Sequence, residues 1–144
     1  MIAVDTNILV YAHRAESPFF ERAIALVRGL VEGRTTWAIP WPCLHEFYGT
    51  VTHPRRYLPP SSLTIATDQI SEWLGSPSVR VIAETQTHWS VLQNMLIASD
   101  VKGPLVHDAR IAAICLQHGV REFWTADRDF SRFPALKCHN PLVV

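Results

Sequence analysis

Residues 1–14 read MIAVDTNILVYAHR. Three apolar residues, Ile2 to Val4, run straight into Asp5, and a helix-compatible stretch, Asn7–His13, follows at once. A carboxylate at the end of a buried strand has to be neutralised, hydrogen-bonded or bound to a cation. The opening is therefore a statement about both fold and chemistry. Behind it the chain alternates regularly. Ser17 as N-cap and Pro18 at the first helical position open a second helix. Phe20, Ala23, Ile24, Val27, Leu30 and Val31 then recur at helical spacing, and Gly33 closes it. Thr36–Ile39 reads as a strand stopped by Pro40. A third helix starts near Pro42, carries the stripe Leu44, Phe47, Tyr48 and Val51, and ends at Pro54.

The segment 55–62, RRYLPPSS, is a basic loop stiffened by proline, and Ser61 or Ser62 caps the next helix. That helix turns Leu63, Ala66, Ile70, Trp73 and Leu74 inward and ends at Gly75. Val79–Ala83 follows as a strand. Thr87 to about Ser99 is helical with Trp89, Leu92 and Leu96 on the core side, and Asp108–His118 is a helix ended by Gly119. Glu122–Ala126 is a strand, and a last short strand lies near Leu136–His139. Strands separated by helices predict an α/β fold with a mostly parallel sheet. Such sheets bind ligands beyond the carboxyl ends of their strands. Asp5 and Asp127 both stand where a strand stops.

At 144 residues the chain is expected to form one domain, 1–144, with a substantial core. Hydrophobic residues make up 48% and charged residues 18%, which predicts a folded globule rather than disorder. Uninterrupted apolar runs such as Ile8 to Ala12 are far below the roughly 20 residues that span a bilayer. No basic segment followed by a long apolar core opens the chain, so neither membrane nor export is expected and the cytoplasm is the predicted location. Three cysteines without a C-x-x-C pair argue against a disulfide framework or zinc ribbon. Seven histidines are scattered without an H-x-x-x-H pair. Thirteen basic residues balance thirteen acidic ones, so net charge makes no case for a polyanionic partner. No G-x-G-x-x-G follows the first strand, which excludes a dinucleotide-binding fingerprint.

Four acidic positions stand out, and each also has a structural explanation. Asp5 can cap the helix that follows it. Glu46, at about 100° per residue, lies about 160° from the centre of the apolar stripe of its helix, as a solvated glutamate would. Asp108 can cap the helix it precedes, and Asp127 and Asp129 flank Arg128 in a turn where aspartate is ordinary. Their joint placement is more informative, because a parallel sheet can gather strand ends and helix starts at one edge. Clustered carboxylates repel and hold their protons unless a cation intervenes. Hard oxygen ligands of this kind suit Mg²⁺ or Mn²⁺, which also bind substrate phosphates.

The quoted stretches resemble the motifs of the PIN-domain nucleases. AVDTNILVYA (3–12) looks like their first motif, and CLHEFYGTV (43–51) like their helix-borne glutamate motif. HDARIAAICLQHG (107–119) resembles the third, and FWTADRDFSRF (123–133) the T-x-D-x-D-F signature. Order, spacing and length match over essentially the whole chain, and within the family the likeness is to the VapC-type toxins of bacterial toxin–antitoxin pairs. The resemblance implies a PIN-like three-layer α/β/α domain and hydrolysis of RNA phosphodiesters by a water activated by Mg²⁺ or Mn²⁺. Carried over by position, it makes Asp5, Glu46, Asp108 and Asp127 the catalytic and metal-binding acids. Thr6, Asn7 and Thr125 become supporting groups, and Asp129 a secondary acid. Arg14, Arg55, Arg56, Arg110, Arg128 and Arg132 are candidate phosphate contacts. A cognate VapB-type antitoxin and a homodimer are the implied partners. Trp41, Tyr48, Tyr57 and Trp73 are aromatic candidates for an interface.

Two other readings remain. One is a PIN-like RNA- or protein-binding module without catalysis. The other is a phosphotransfer fold of the dehalogenase or receiver kind. The former of those wants an aspartate where Asn7 stands, and the latter an adjacent acidic pair that is absent near the start.

Overall fold

A computed structural model describes residues 1–144. Five strands form the sheet: β1 Ile2–Val4, β2 Trp37–Pro40, β3 Val79–Ile82, β4 Glu122–Trp124 and β5 Cys138–His139. Their order is β3-β2-β1-β4-β5, and every pairing is parallel. Six helices connect them: α1 Thr6–His13, α2 Phe20–Glu32, α3 Trp41–Val51, α4 Leu63–Leu74, α5 His88–Ala98 and α6 Val106–Gln117. The expected α/β class and parallel sheet are present.

The strand order places the functional edge. From β1 to β2 to β3 the chain moves one way across the sheet, and from β3 it jumps back to β4. Right-handed crossovers then put α1 to α4 on one face and α5 with α6 on the other. Packing follows this division, with α1 against α2 and α3 on one side and α5 against α6 on the other. The direction of winding reverses between β1 and β4. A crevice opens at such a reversal beyond the carboxyl ends of the strands.

The core is built from both faces of the sheet. Trp37, Phe47, Phe123, Phe130 and Phe133 are its largest fully buried side chains. Phe47 meets Trp73 edge-on at 4.8 Å between ring centroids, which seats α3 on α4, and Phe123 meets Phe130 at 4.9 Å. The second pair anchors the 3₁₀ turn Arg128–Arg132 under the end of β4. No helix is long and apolar enough to cross a membrane.

Several local expectations are corrected. Ser17 does not cap α2; its Oγ accepts from the Phe19 N–H at 3.1 Å in a turn, and the helix starts at Phe20. Asp108 is not a cap either, because a 3₁₀ turn, Gly103–Leu105, enters at Gly103 with φ of 64° and carries the chain into α6 at Val106. Trp89 and Leu63 are 61% and 66% exposed rather than buried, as their helices rotate other residues inward. β4 ends at Trp124, so Asp127 lies in the following turn.

Gly33 ends α2 by size rather than by handedness. Its φ of −76° and ψ of 169° are open to any residue, but a Cβ there would sit 2.7 Å from the Gly29 carbonyl oxygen. Gly29, one turn earlier, has open space around it. Gly33→Ala is expected to lower stability in urea unfolding by about 1–3 kcal/mol through overpacking. Gly29→Ala is expected to raise it by about 0.5–1 kcal/mol, because a helix interior prefers alanine.

Candidate active site

Asp5 follows β1 and is 4% exposed. Its backbone N–H donates to the Trp124 carbonyl at 2.9 Å, extending the β1–β4 ladder by one residue. The side chain does cap α1, with Oδ1 accepting from the Thr6 N–H at 2.7 Å. It does more than cap. Oδ2 accepts from the Thr125 hydroxyl at 2.7 Å and from Asn7 Nδ2 at 3.0 Å, and the buried Cys43 thiol donates to Oδ1 at 3.6 Å. Burial pushes the Asp5 carboxyl up to about 6, the hydrogen bonds from Thr125 and Thr6 opposing that rise.

Thr125 and Asn7 carry the arrangement across to the chain beyond β4. Thr125 Oγ1 accepts from the Asp127 N–H at 2.9 Å while donating to Asp5, and Asn7 Oδ1 accepts from the Ala126 N–H at 3.0 Å. Asp127 Oδ1 in turn accepts from the Asp129 N–H at 2.9 Å, which starts the 3₁₀ turn. Thr6, Asn7 and Thr125 therefore link the acids to one another and to the backbone by hydrogen bonds.

Asp108 projects from the first turn of α6 without capping it. The carboxylates of Asp108, Asp127 and Asp129 come within 4.8 Å of one another. Partial burial and the charges of Asp127, Asp5, Asp129 and Glu46 push the Asp108 carboxyl up to about 7. Glu46 is exposed on α3, away from its buried stripe, and accepts from the Thr6 hydroxyl at 2.9 Å. Asp5, Glu46, Asp108 and Asp127 all line one open cleft of about 480 Å³, with Thr6, Asn7, Val10, Tyr11, Thr50, Arg56 and Tyr57. Asp129, the secondary acid of the motif, completes the acidic trio without lining the cleft.

None of the molecule's four salt bridges involves any of these five acids. The donors are all hard oxygens, crowded and not paired in a salt bridge. That set fits a divalent cation of the Mg²⁺ or Mn²⁺ type, with Asp108, Asp127 and Asp129 as its tightest group and Asp5 in the same cleft as Asp108 and Asp127.

The six arginines separate. Arg56 lines the cleft. Arg14 is spent inside the protein, on Glu16, Ser61 and the Pro59 carbonyl. Arg110 pairs with Glu84 at 3.0 Å, and Arg132 donates to the Ser99 carbonyl at 3.0 Å. Arg128 lines a separate hollow with Thr125, Asp127 and His139, and Arg55 is exposed. Of the aromatic candidates, Trp73 is core, Trp41 is 39% exposed and stacked on His45, and Tyr57 lines the cleft. Cys43, Tyr11 and Thr50 at the site carried no signal in the sequence; only the α1–α3 contact brings them there.

Comparison with known proteins gives a consistent picture. The PIN-domain family model matches residues 2–136. Ribonuclease VapC48 of Mycobacterium tuberculosis is 30% identical over 137 residues, covering 95% of this chain and 94% of its own. Among solved structures, VapC20 of M. tuberculosis, described as a sarcin–ricin-loop-cleaving toxin, superposes with a TM-score of 0.68 at 21% identity, covering 91% of this chain and 93% of that one. VapBC2 from Rickettsia felis, bound to a DNA fragment from its promoter, gives 0.67 at 20% identity over 97% and 98%.

The raised carboxyls fix a stability trend for the metal-free chain. Unfolded, an aspartate ionises near 4; folded, Asp108 keeps its proton to about 7 and Asp5 to about 6. The folded state thus binds more protons in between, so their contribution to stability falls from about pH 4 to pH 7 and then levels. Thermal unfolding in chelator is expected to show Asp108→Asn gaining on the wild type as pH rises from 5 to 7.5. Added Mn²⁺ is expected to raise the wild-type Tm more at pH 7.5 than at pH 5, because it replaces the proton.

Proposed function

The chain belongs to the PIN-domain family, and on that premise we propose that it is a divalent-metal-dependent endoribonuclease, the toxin of a toxin–antitoxin pair of the VapC type. The observation that carries the reading is the convergence of Asp5, Glu46, Asp108 and Asp127 on one cleft at the reversal of the sheet, none of them in a salt bridge. Relatives named as ribonucleases across nearly the full length support RNA as the substrate class.

Bound Mg²⁺ or Mn²⁺ would polarise the phosphoryl oxygen, activate the attacking water and stabilise the leaving oxygen. The chain's own groups do the rest. Asp5 and Asp108 would be the principal ligands, with Asp127 and Glu46 completing the pocket and Asp129 beside them, and both oxygens of Asp5 are oriented by Thr6, Asn7, Thr125 and Cys43. Such supporting hydrogen bonds keep a ligand in one rotamer and are worth tenfold or more in metal affinity. Glu46 keeps one oxygen on the Thr6 hydroxyl and lines the cleft, where its carboxylate would take a proton from the attacking water.

The same reading makes the chain a single PIN domain acting in the cytoplasm, as a homodimer neutralised by a VapB-type antitoxin. A VapBC assembly among its fold relatives supports the partner. Leu58, Leu63 and Ile65, exposed by 89%, 66% and 57%, supply apolar surface that a partner would cover.

The test is cleavage of a pool of structured and unstructured RNA in Mg²⁺ or Mn²⁺. Asp108→Asn is the cleaner variant, since Asp108 caps nothing. Asp5→Asn places an amide opposite donors from Thr6, Asn7 and Cys43 and disturbs folding as well. Both are expected to lower the rate by at least about a hundredfold, the scale on which losing one stabilising group acts, and chelator is expected to abolish it. Undiminished cleavage by Asp108→Asn overturns the assignment. Mn²⁺ binding without cleavage means the right site but the wrong RNA, and neither binding nor cleavage favours the binding-module reading.

A further inference from the structure

Arg56 is the sole basic side chain among the residues lining the acidic cleft, and its guanidinium enters none of the molecule's salt bridges. It sits on an exposed loop, where a long side chain would ordinarily sample many positions. The backbone of that loop is fixed. The His53 carbonyl accepts from both the Arg56 and Tyr57 N–H groups, at 3.1 and 3.2 Å, and the Ser61 N–H donates to the Val51 carbonyl at 2.8 Å, closing the loop onto the end of α3.

Arg14, at the end of α1, ties the middle of the loop down. Its Nη2 donates to the Pro59 carbonyl at 2.8 Å and its Nη1 to Ser61 Oγ at 3.1 Å, while its guanidinium carbon lies 4.3 Å from the centre of the Tyr57 ring. The His13 ring shares a hydrogen bond of 2.9 Å with the same Ser61 hydroxyl and one of 3.0 Å with Gln69 on α4. Arg14 is only 13% exposed, so its charge serves the protein rather than a ligand. A planar fork with several donors and a stacking face can satisfy all these contacts at once, which an ammonium cannot.

We propose that residues 53–61 form a nucleotide subsite beside the carboxylates, in which Arg56 takes a phosphate flanking the scissile one and Arg14 is the positioning residue that holds Arg56 and the Tyr57 wall in place. This rests on the nuclease reading of the same cleft. The chemistry is complementary: four acids flank the cleft with a cation that they do not pair with, and a polyanion needs a positive group wherever its next phosphate falls. A backbone phosphate engages a planar guanidinium in two parallel hydrogen bonds, so a displacement of the loop removes most of the contact. Two of the six arginines thus divide one task, Arg56 meeting the substrate and Arg14 acting through it.

The experiment measures binding of a fluorescein-labelled, random-sequence 20-nucleotide RNA by anisotropy at several salt concentrations. It uses the full chain carrying Asp108→Asn so that the probe survives, and steady-state cleavage of the same RNA by chains with Asp108 intact runs beside it. Arg56→Ala is expected to weaken binding about tenfold and to lower the slope of log Kd against log salt by about 0.7, the value for one phosphate on a single strand. In cleavage it raises KM more than it lowers kcat, and Arg56→Lys recovers much of the loss. Arg14→Ala is expected to reproduce the weakening, Arg14→Lys not to rescue it, and the double alanine variant to be no worse than Arg56→Ala alone. An unchanged salt slope in Arg56→Ala, or additive losses in the double variant, overturns the inference even when Asp108-dependent cleavage stands. Absence of cleavage by the unaltered chain, with Arg56-dependent binding retained, overturns the nuclease reading and leaves the subsite.

Discussion

The fold depends on how one buried carboxylate is accommodated. Asp5 ends the central strand at the point where the winding of the sheet reverses, with almost no access to water. An unsatisfied charge there would cost more than a typical domain's margin of stability allows. The chain answers with donors from three directions: the start of α1, the buried thiol of α3, and the Thr125 hydroxyl beyond β4. Thr125 donates to Asp5 and also accepts from the Asp127 N–H, and Asn7 bridges both sides. Satisfying Asp5 thereby dictates the backbone path of Thr125 to Asp127. The acid that has to be buried is also what places the next acid.

The remaining acids are left in a different condition. Asp108 has a carboxyl raised to about 7, partial burial being the largest cause and the charges of its neighbours adding to it. With thirteen acidic and thirteen basic residues the chain has cations available elsewhere, and it pairs them with Glu16, Glu84, Asp100 and Glu122. Repulsion is therefore concentrated at one edge of the sheet while the rest of the surface is balanced. A divalent ion relieves that repulsion, and its binding energy is set partly by the proton it displaces.

Much of this was legible in the sequence, for reasons that can be named. The strand-then-acid junctions at Val4–Asp5 and near Asp127 are local patterns, and the α/β alternation follows from short apolar runs between helical stripes. Glu46 could be turned from the core by arithmetic alone, because a stripe of four apolar residues fixes the rotation of α3. Asp108 was harder, since an aspartate before an apolar helix reads as a cap; only the 3₁₀ turn entered at Gly103 shows that the helix starts without it. Trp89 and Leu63 defeat periodicity outright, because a helix can display an apolar residue to solvent without changing its spacing. Asp129 stands out locally in the T-x-D-x-D-F stretch, but its meeting with Asp108 on α6 is a product of the fold and has no local signature.

The arginines show where residue type stops being informative. Six of them are near loops or site motifs, and a guanidinium suits a phosphate equally well in each. What separates them is whether the protein has already used the charge. Arg14, Arg110 and Arg132 are committed to Glu16 and Ser61, to Glu84, and to the Ser99 carbonyl, whereas Arg56 is left facing the acids without a partner. An internal partner lowers the free energy of the unbound protein, and a ligand that takes the charge would first have to break that contact. The cation that costs least to offer is the one the fold has positioned but not paired. In this cleft the positioning comes from a second arginine, so the same chemical group serves once as structure and once as recognition.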